Sequence, residues 1–213
     1  MSSETLYQPP LMPHLLVEGL NRYNDEPCLY LGDKVASYRE VREQTSQLVQ
    51  ALQSKGLGKG SRIAIISANR PEVLSNIAAM QLNGCIGTPL HPLGSLDDHA
   101  YVLEAAEIDT LIFDAAVFAD LAAALKAKVP GLTDLLGFGP NDVGDDYLAL
   151  AQGFSPLPLV APDVDAEDVA SVNFTGGTTG KPKGVMHTTG GYMVYASFTH
   201  ELVFDHHEGD VFW

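Results

Sequence analysis

Positive charge is what this sequence has least of. Its 213 residues carry 12 Lys and Arg against 27 Asp and Glu, a net charge of −15. Nucleic-acid phosphates need a basic face, so general affinity for DNA or RNA is excluded. Cysteine is equally scarce. Cys28 and Cys85 stand alone and form no CxxC pair, which points to two buried, reduced thiols of a cytoplasmic protein rather than a disulfide framework or a thiolate metal site. Long apolar runs are missing too. The most apolar stretch, Val73 to Leu90, is broken by Ser75, Asn76, Gln81 and Asn83, short of the roughly 20 residues a membrane span requires. The opening MSSETLYQPPLMPHLL has no basic n-region and no continuous apolar core, so no secretion signal is read there. With 20 Gly and 13 Pro, collagen-like and low-complexity readings also fail.

What is present is the composition of a globular chain, 46% apolar, of a length that predicts one domain or one and a half. Helical and strand signals alternate along it. Pro13 to Asn24 reads as an amphipathic helix with Leu15, Leu16, Leu20 and Tyr23 on one face. Cys28 to Tyr38 reads as a hairpin turned at Gly32-Asp33. Ser37 and Glu40 have the spacing of a capping box, and Gly56 is a plausible stop for the helix it opens. Arg62 to Ile66 is a short apolar strand. Asn69 is expected to cap a helix with Pro71 in its first turn, ending at Gly84. Cys85 to Leu90, Thr110 to Phe113 and Leu132 to Phe138 are further strands, with helices from Ser95 to about Glu107 and from Ala115 to Lys128 between them. Strands separated by helices of this length predict βαβ crossovers: an α/β fold with a mostly parallel sheet and flanking helices.

Gly139 to Asp168 is rich in Pro, Gly and Asp, with only Tyr147 to Gln152 helix-like. It reads as a surface excursion between a first α/β lobe, residues 1–165, and the start of a second, residues 166–213. The chain stops within Asp210-Val211-Phe212-Trp213, which has the character of a buried strand. The second lobe is therefore expected to be truncated, with an unpaired edge that invites self-association.

Between Lys128 and Lys181 there is no Lys or Arg. Two lysines then arrive together, in the run Phe174-Thr-Gly-Gly-Thr-Thr-Gly-Lys-Pro-Lys-Gly184. Gly176, Gly177 and Gly180 let backbone N–H groups turn toward an anion. Thr175, Thr178 and Thr179 add hydroxyl donors, and Lys181 and Lys183 add charge. That combination suits a polyphosphate. It is not a Walker A loop, which would need Gly at position 175 and Ser or Thr at 182, where this chain has Thr175 and Pro182. Pro182 holds Lys181 extended, so the expected arrangement is strand–loop–strand, with no helix N-terminus facing the phosphates.

This run resembles the signature loop of the AMP-forming adenylate enzymes: acyl-CoA synthetases, peptide-synthetase adenylation domains and luciferases. One departure is Gly176, where the family usually has Ser. Val185 to Tyr192, with Phe204 to Trp213, resembles the acetyl- and propionyl-CoA synthetase branch, whereas Leu31-Gly-Asp-Lys34 with Ser37-Tyr38, Gly60 to Ile66, Asn69-Arg-Pro-Glu72 and Asn83 to Leu90 are more similar to fatty-acid and aryl-acid CoA ligases. The resemblance implies a ligase that activates a fatty or aromatic carboxylic acid with ATP to an acyl-adenylate and passes it to CoA. Thr175, Gly176, Gly177, Thr178, Thr179 and Gly180 would grip the β- and γ-phosphates, Lys181 and Lys183 would give electrostatic support, and Mg²⁺ would accompany ATP. His187, on the strand after the loop, is expected to face the carboxylate pocket or else to be a core histidine. The family's Mg²⁺-binding Glu, ribose-binding Asp and C-terminal-domain Lys have no counterpart here, so no catalytic residue is assigned and residues 1–213 alone are expected not to complete adenylation. Two other readings are a non-catalytic nucleotide-binding module and an adenylate-former that loads a carrier protein. His206-His207-Glu208 is rejected as a metal site, because adjacent side chains diverge.

Overall fold

A computed structural model of the protein describes residues 10–175 and 182–202. The first elements follow the local signals closely. Helix α1 (Met12–Arg22) carries Pro13 in its first turn, where a missing N–H costs nothing, and buries Leu20. Strands β1 (Pro27–Leu31) and β2 (Lys34–Ser37) form the hairpin, with Tyr30 opposite Val35 and Leu31 opposite Lys34 across Gly32-Asp33. Helix α2 (Tyr38–Ser54) starts at the capping box: the Ser37 N–H donates to the Glu40 carboxylate at 2.7 Å, and the Glu40 N–H donates back to the Ser37 hydroxyl at 3.3 Å. Its C-terminus is a Schellman turn. Gly56, at φ +76°, lets its own N–H reach the Gln53 carbonyl and that of Leu57 reach Leu52.

The main body is β3 (Arg62–Ile66), α3 (Pro71–Leu82), β4 (Ile86–Pro89), α4 (Leu96–Ala105), β5 (Thr110–Phe113), α5 (Ala115–Lys128), β6 (Asp134–Gly137), β7 (Asp145–Asp146), α6 (Tyr147–Gln152), β8 (Val169–Thr175), β9 (Lys183–Thr188) and α7 (Thr189–Leu202). Seven of the strands make one sheet in the order β7-β6-β5-β3-β4-β8-β9. Every pairing in it is parallel except β8 with β9. Strand alternation sorts the core onto two faces. Ala64, Ile66, Leu111 and Phe113 pack against Leu103 of α4 and Ala122 and Leu125 of α5. Ile63, Ile65, Ile112 and Leu136 pack against Leu48 and Leu52 of α2, Ala79 and Met80 of α3, and Tyr147 and Ala151 of α6. The expected α/β fold with a mostly parallel sheet and flanking helices is the observed one.

Four local expectations are corrected. The N-cap of α3 is Arg70, not Asn69, and it has no side-chain cap bond; its guanidinium is engaged elsewhere. The strand expected over 132–138 spans only Asp134–Gly137, because Leu132 closes a turn onto the Val129 carbonyl. The acidic excursion is partly internal: β7 extends the sheet, and Tyr147 is fully buried, its hydroxyl donating to the Leu48 carbonyl at 3.3 Å. Cys85 is buried, with its thiol pushed up to about 12 by burial, but Cys28 is only half-buried. Beyond α6 the chain lies against α2, where Ser46, Gln47 and Gln50 donate to the carbonyls of Leu157, Phe154 and Ser155 at 2.8–2.9 Å. The strands on either side of the boundary expected near residue 165 share one sheet, since β8 pairs with β4 through Gly87 and Ser171. Among the described residues no helix is long and apolar enough to cross a membrane.

One histidine makes the fold acid-sensitive. His99 of α4 is 2% exposed beneath the Gly94 backbone, and its Nε2 has no hydrogen-bond partner among the described residues. Burial lowers its pKa from the ordinary 6.5, against the opposing pull of Asp98. A depressed histidine is stabilising while neutral. Its contribution is therefore present above the ordinary value and lost as pH falls through the folded one. Thermal melts at about pH 7.5 and about pH 5.5 should show a larger drop in stability for the native protein than for His99→Phe. Equal drops would show that His99 is not the group responsible.

Candidate functional site

In open α/β sheets, ligands bind at the carboxyl ends of the strands. Here that edge is formed by the loops after β3, β4, β5, β6 and β8. Arg70, just beyond β3, ties three of them together. Its guanidinium holds Glu72 through Nε at 2.9 Å and Nη2 at 3.2 Å, reaches Asp114 at 3.1 Å, and donates to the Phe138 carbonyl at 3.1 Å while stacking over the Phe138 ring. Asp114 in turn caps α5 by accepting from the Ala116 N–H. Arg70 holds the Glu72 carboxyl below its usual range.

In sequence, the glycine- and threonine-rich run falls between the two strands of an antiparallel pair. Strand β8 ends at Thr175 and β9 begins at Lys183, and these two residues are the last register pair before the loop. Both are exposed. Pro182 leads straight into strand β9, which begins at Lys183, while Lys181 and the expected loop before it lie outside the described residues. The ring of Phe174 lies across Gly184, opposite it in register. A Cβ at Gly184 would come 3.1 Å from Phe174 Cζ, which explains why glycine closes the motif. Gly176, Gly177, Thr178, Thr179, Gly180 and Lys181 lie outside the described residues.

Below this turn, on the face shared with α1 and α3, is a cavity of about 300 Å³. Its floor is sheet: Ile65, Gly87, Ser171, Asn173 and His187. Its roof is Met12 and Leu16 of α1 and Ile77, Met80 and Gln81 of α3, with Thr189 and Tyr192 of α7 at one side. His187 meets the Tyr192 ring edge-on at 5.9 Å between centroids. The Gln81 amide donates to the Ala170 carbonyl at 3.4 Å, and Asn173 donates to the Ser171 hydroxyl at 3.4 Å. The start of α7 is pinned beside it: Thr189 donates its hydroxyl to the Asp165 carbonyl at 2.7 Å and its N–H to that of Asp168 at 3.0 Å. Lys59 anchors the same segment through Asp168 at 2.7 Å. Mostly apolar walls with a few polar groups on one side are the usual form of a small-molecule site, and the size is at the lower end of the usual range.

Residues 16–213 match the family described as AMP-binding enzyme. The chain belongs to that family. It is similar to the medium/long-chain-fatty-acid–CoA ligase FadD8 of Mycobacterium tuberculosis, 44% identical over 193 residues, covering 88% of this chain and 34% of that protein. It is also similar to the acetyl-coenzyme A synthetase of Parvibaculum lavamentivorans, 32% identical, covering 89% and 31%. Among solved structures, the anthranilate CoA ligase AuaEII in complex with anthranoyl-AMP superposes with a TM-score of 0.81 over 93% of this chain and 38% of that one; at 22% identity, this shows the shared fold. The chain thus spans about a third of the length of the curated relatives it matches.

Of the residues singled out in the sequence, the structure places Thr175 and Lys183 together at the hairpin turn and His187 on the cavity floor. The cavity's other walls went unread in the sequence. One signal for them existed: Gly87 interrupts an apolar strand, and a glycine there marks a close approach or a missing side chain. Arg70 has no local signal, because its partners Asp114 and Phe138 lie 44 and 68 residues away in the chain.

Proposed function

We propose that this AMP-binding enzyme is the ATP-gripping part of an acid–CoA ligase that joins a carboxylic acid to AMP and then to CoA. The observation that carries this reading is the antiparallel pair β8 and β9, which sets Thr175 opposite Lys183 at the two ends of the Thr/Gly/Lys run, with a strand rather than a helix following Pro182. A run of this composition carries amides, hydroxyls and ammonium groups, a donor set that suits a triphosphate tail. In the proposed reaction a carboxylate oxygen attacks the α-phosphorus and pyrophosphate departs. The charge gathered on the leaving group is what Thr175, Thr178, Thr179 and the loop amides would stabilise, with Lys181 and Lys183 nearby. The thiol of CoA then displaces AMP from the acyl carbon.

Asn173 and His187 lie two and four residues from the ends of the hairpin turn, so on strand geometry they sit roughly 7 and 13 Å from the phosphate grip. That is a fitting distance for the acid, with His187 on the wall of its pocket. Among the described residues no group of three or more His, Cys, Asp or Glu could hold a metal. Mg²⁺ would accompany the triphosphate and neutralise phosphate charge. Its oxygen ligands would come mainly from ATP.

The test is acid-dependent exchange of labelled pyrophosphate into ATP, followed by thioester formation on adding CoA, using the full-length gene product and a panel of aliphatic and aromatic acids. Exchange with at least one acid, and thioester only when CoA is added, is the expected result. Absence of exchange with every acid would overturn the reading.

A further inference from the structure

The β8–β9 ribbon has a root as well as a tip. Its root is the register pair Val169 and Thr188, and its tip is the pair Thr175 and Lys183, roughly 20 Å apart at strand spacing. The root is held by a short strap, residues 163–168, which touches three parts of the molecule. Toward the body of the sheet, Lys59 of the turn before β3 reaches the Asp168 carboxylate at 2.7 Å and donates to the Asp163 carbonyl at 3.1 Å. Val164 lies over Gly84, where an added Cβ would come 3.2 Å from Val164 Cγ1. Within the strap, the Asp168 carboxylate accepts from the Asp165 N–H at 2.8 Å. Toward α7, the strap presents three carbonyls. Asp165 accepts the Thr189 hydroxyl at 2.7 Å, Ala166 the Gly190 N–H at 3.1 Å, and Asp168 the Thr189 N–H at 3.0 Å. The approach at this corner is so close that a Cβ at Gly190 would stand 2.9 Å from the Ala166 Cβ. Thr189 itself is 4% exposed.

We infer that Thr189 and Asp168 are positioning residues: the corner they lock fixes the direction of the ribbon, and hence where its tip presents Thr175 and Lys183 to ATP. The inference rests on the proposed adenylating function for what the tip does, but the corner stands on the structure alone. Two observations argue for a fixed direction rather than for general stability. Along its length the ribbon meets the parallel sheet at one register pair, Gly87 with Ser171, and β9 has no strand on its outer side among the described residues. One pairing leaves rotation about it open, and the root supplies the second point that removes it. The other observation is the ion pair between Lys59 and Asp168, whose side chains are 52% and 34% exposed. A pair so exposed adds little to stability; its effect is to keep the strap in one place. Reaction rate is far more sensitive to placement than stability is, since a shift of about 1 Å in a positioned group can cost about 100-fold.

The experiment uses three variants of the full-length gene product. Thr189→Val keeps the side chain's size and removes the hydroxyl, Thr189→Ser restores the hydroxyl, and Asp168→Ala breaks the corner at a position that does not line the cavity. In acid-dependent pyrophosphate exchange, Thr189→Val and Asp168→Ala should each lower the maximal rate about tenfold, with the KM for the acid within about twofold of native. Thr189→Ser should recover most of the rate. Combining Thr189→Val with Asp168→Ala should be little worse than the more impaired single change, because both open the same corner. Backbone hydrogen exchange is the second readout. In Thr189→Val and Asp168→Ala the amides of β9 should exchange about tenfold faster than in the native protein, while those of β3 and β5 keep their native rates. Native rates of pyrophosphate exchange in both variants would overturn the inference, as would a serine variant no better than the valine one. So would faster amide exchange spread evenly over the whole sheet, the mark of a merely structural loss. If the native protein exchanges no pyrophosphate with any acid, the ligase reading falls and the β9 amides alone decide the corner: selective loss of protection there upholds it, and unchanged protection overturns it.

Discussion

Arg70→Met is expected to lower the free energy of unfolding by about 3 kcal/mol, measured by urea denaturation at neutral pH. Methionine keeps most of the volume and can still cover Phe138, so the loss is electrostatic. It strands two carboxylates: Asp114, whose side chain is 8% exposed, and Glu72, at 22%. Removing one partner of a buried pair usually costs about 3–5 kcal/mol; the 22% exposure of Arg70 itself places this case at the lower end. Adding Asp114→Asn should recover part of the loss, because asparagine still caps α5 without a buried charge. The acid side of the stability curve carries the same signature. Glu72 has a depressed pKa, so its contribution is present above the ordinary 4.5 and lost as pH falls through the folded value. In Arg70→Met that limb should flatten. A variant as stable as the native protein would mean that the clamp at the strand ends is dispensable.

The largest effect on activity is expected at the loop. Thr178→Val with Thr179→Val, on the full-length gene product, should cut acid-dependent pyrophosphate exchange by about 10²–10³-fold, since a prearranged donor to developing charge is worth that much. The loss should fall on the maximal rate more than on the KM for ATP, because the charge on the leaving pyrophosphate grows as the reaction proceeds. Lys183→Ala should lose less. Lys183 is exposed at the start of β9, so any support it gives would be solvent-screened charge. A double valine variant with native rate would remove the hydroxyls from the reaction.

The parts of the fold that were legible in the sequence are those decided within a few residues. Ser37 and Glu40 form their capping box because both partners lie in one turn, and Gly56 ends α2 because few other residues adopt φ +76°. The strand that follows Pro182 was legible for the same reason, since proline constrains its immediate neighbours. What stayed hidden is decided between distant residues. Strand β7 is two aspartates, Asp145 and Asp146, with no alternation to betray it; only pairing with Leu136 and Gly137 makes it a strand. Arg70 bonds across to Asp114 and Phe138, so its charge reads as ordinary surface until the strands are set side by side. The cavity needs α1, α3 and β8–β9 to converge, and Gly87 was its only local mark.

The antiparallel hairpin joins the parallel sheet through one register pair, Gly87 with Ser171. Its far end carries Thr175 and Lys183, while Ser171, Asn173 and His187 line the chamber. The two strands therefore form one ribbon that runs from the cavity wall to Thr175 and Lys183, joined to the parallel sheet at a single register pair. A change in how that single join is packed would carry along the whole ribbon to its far end.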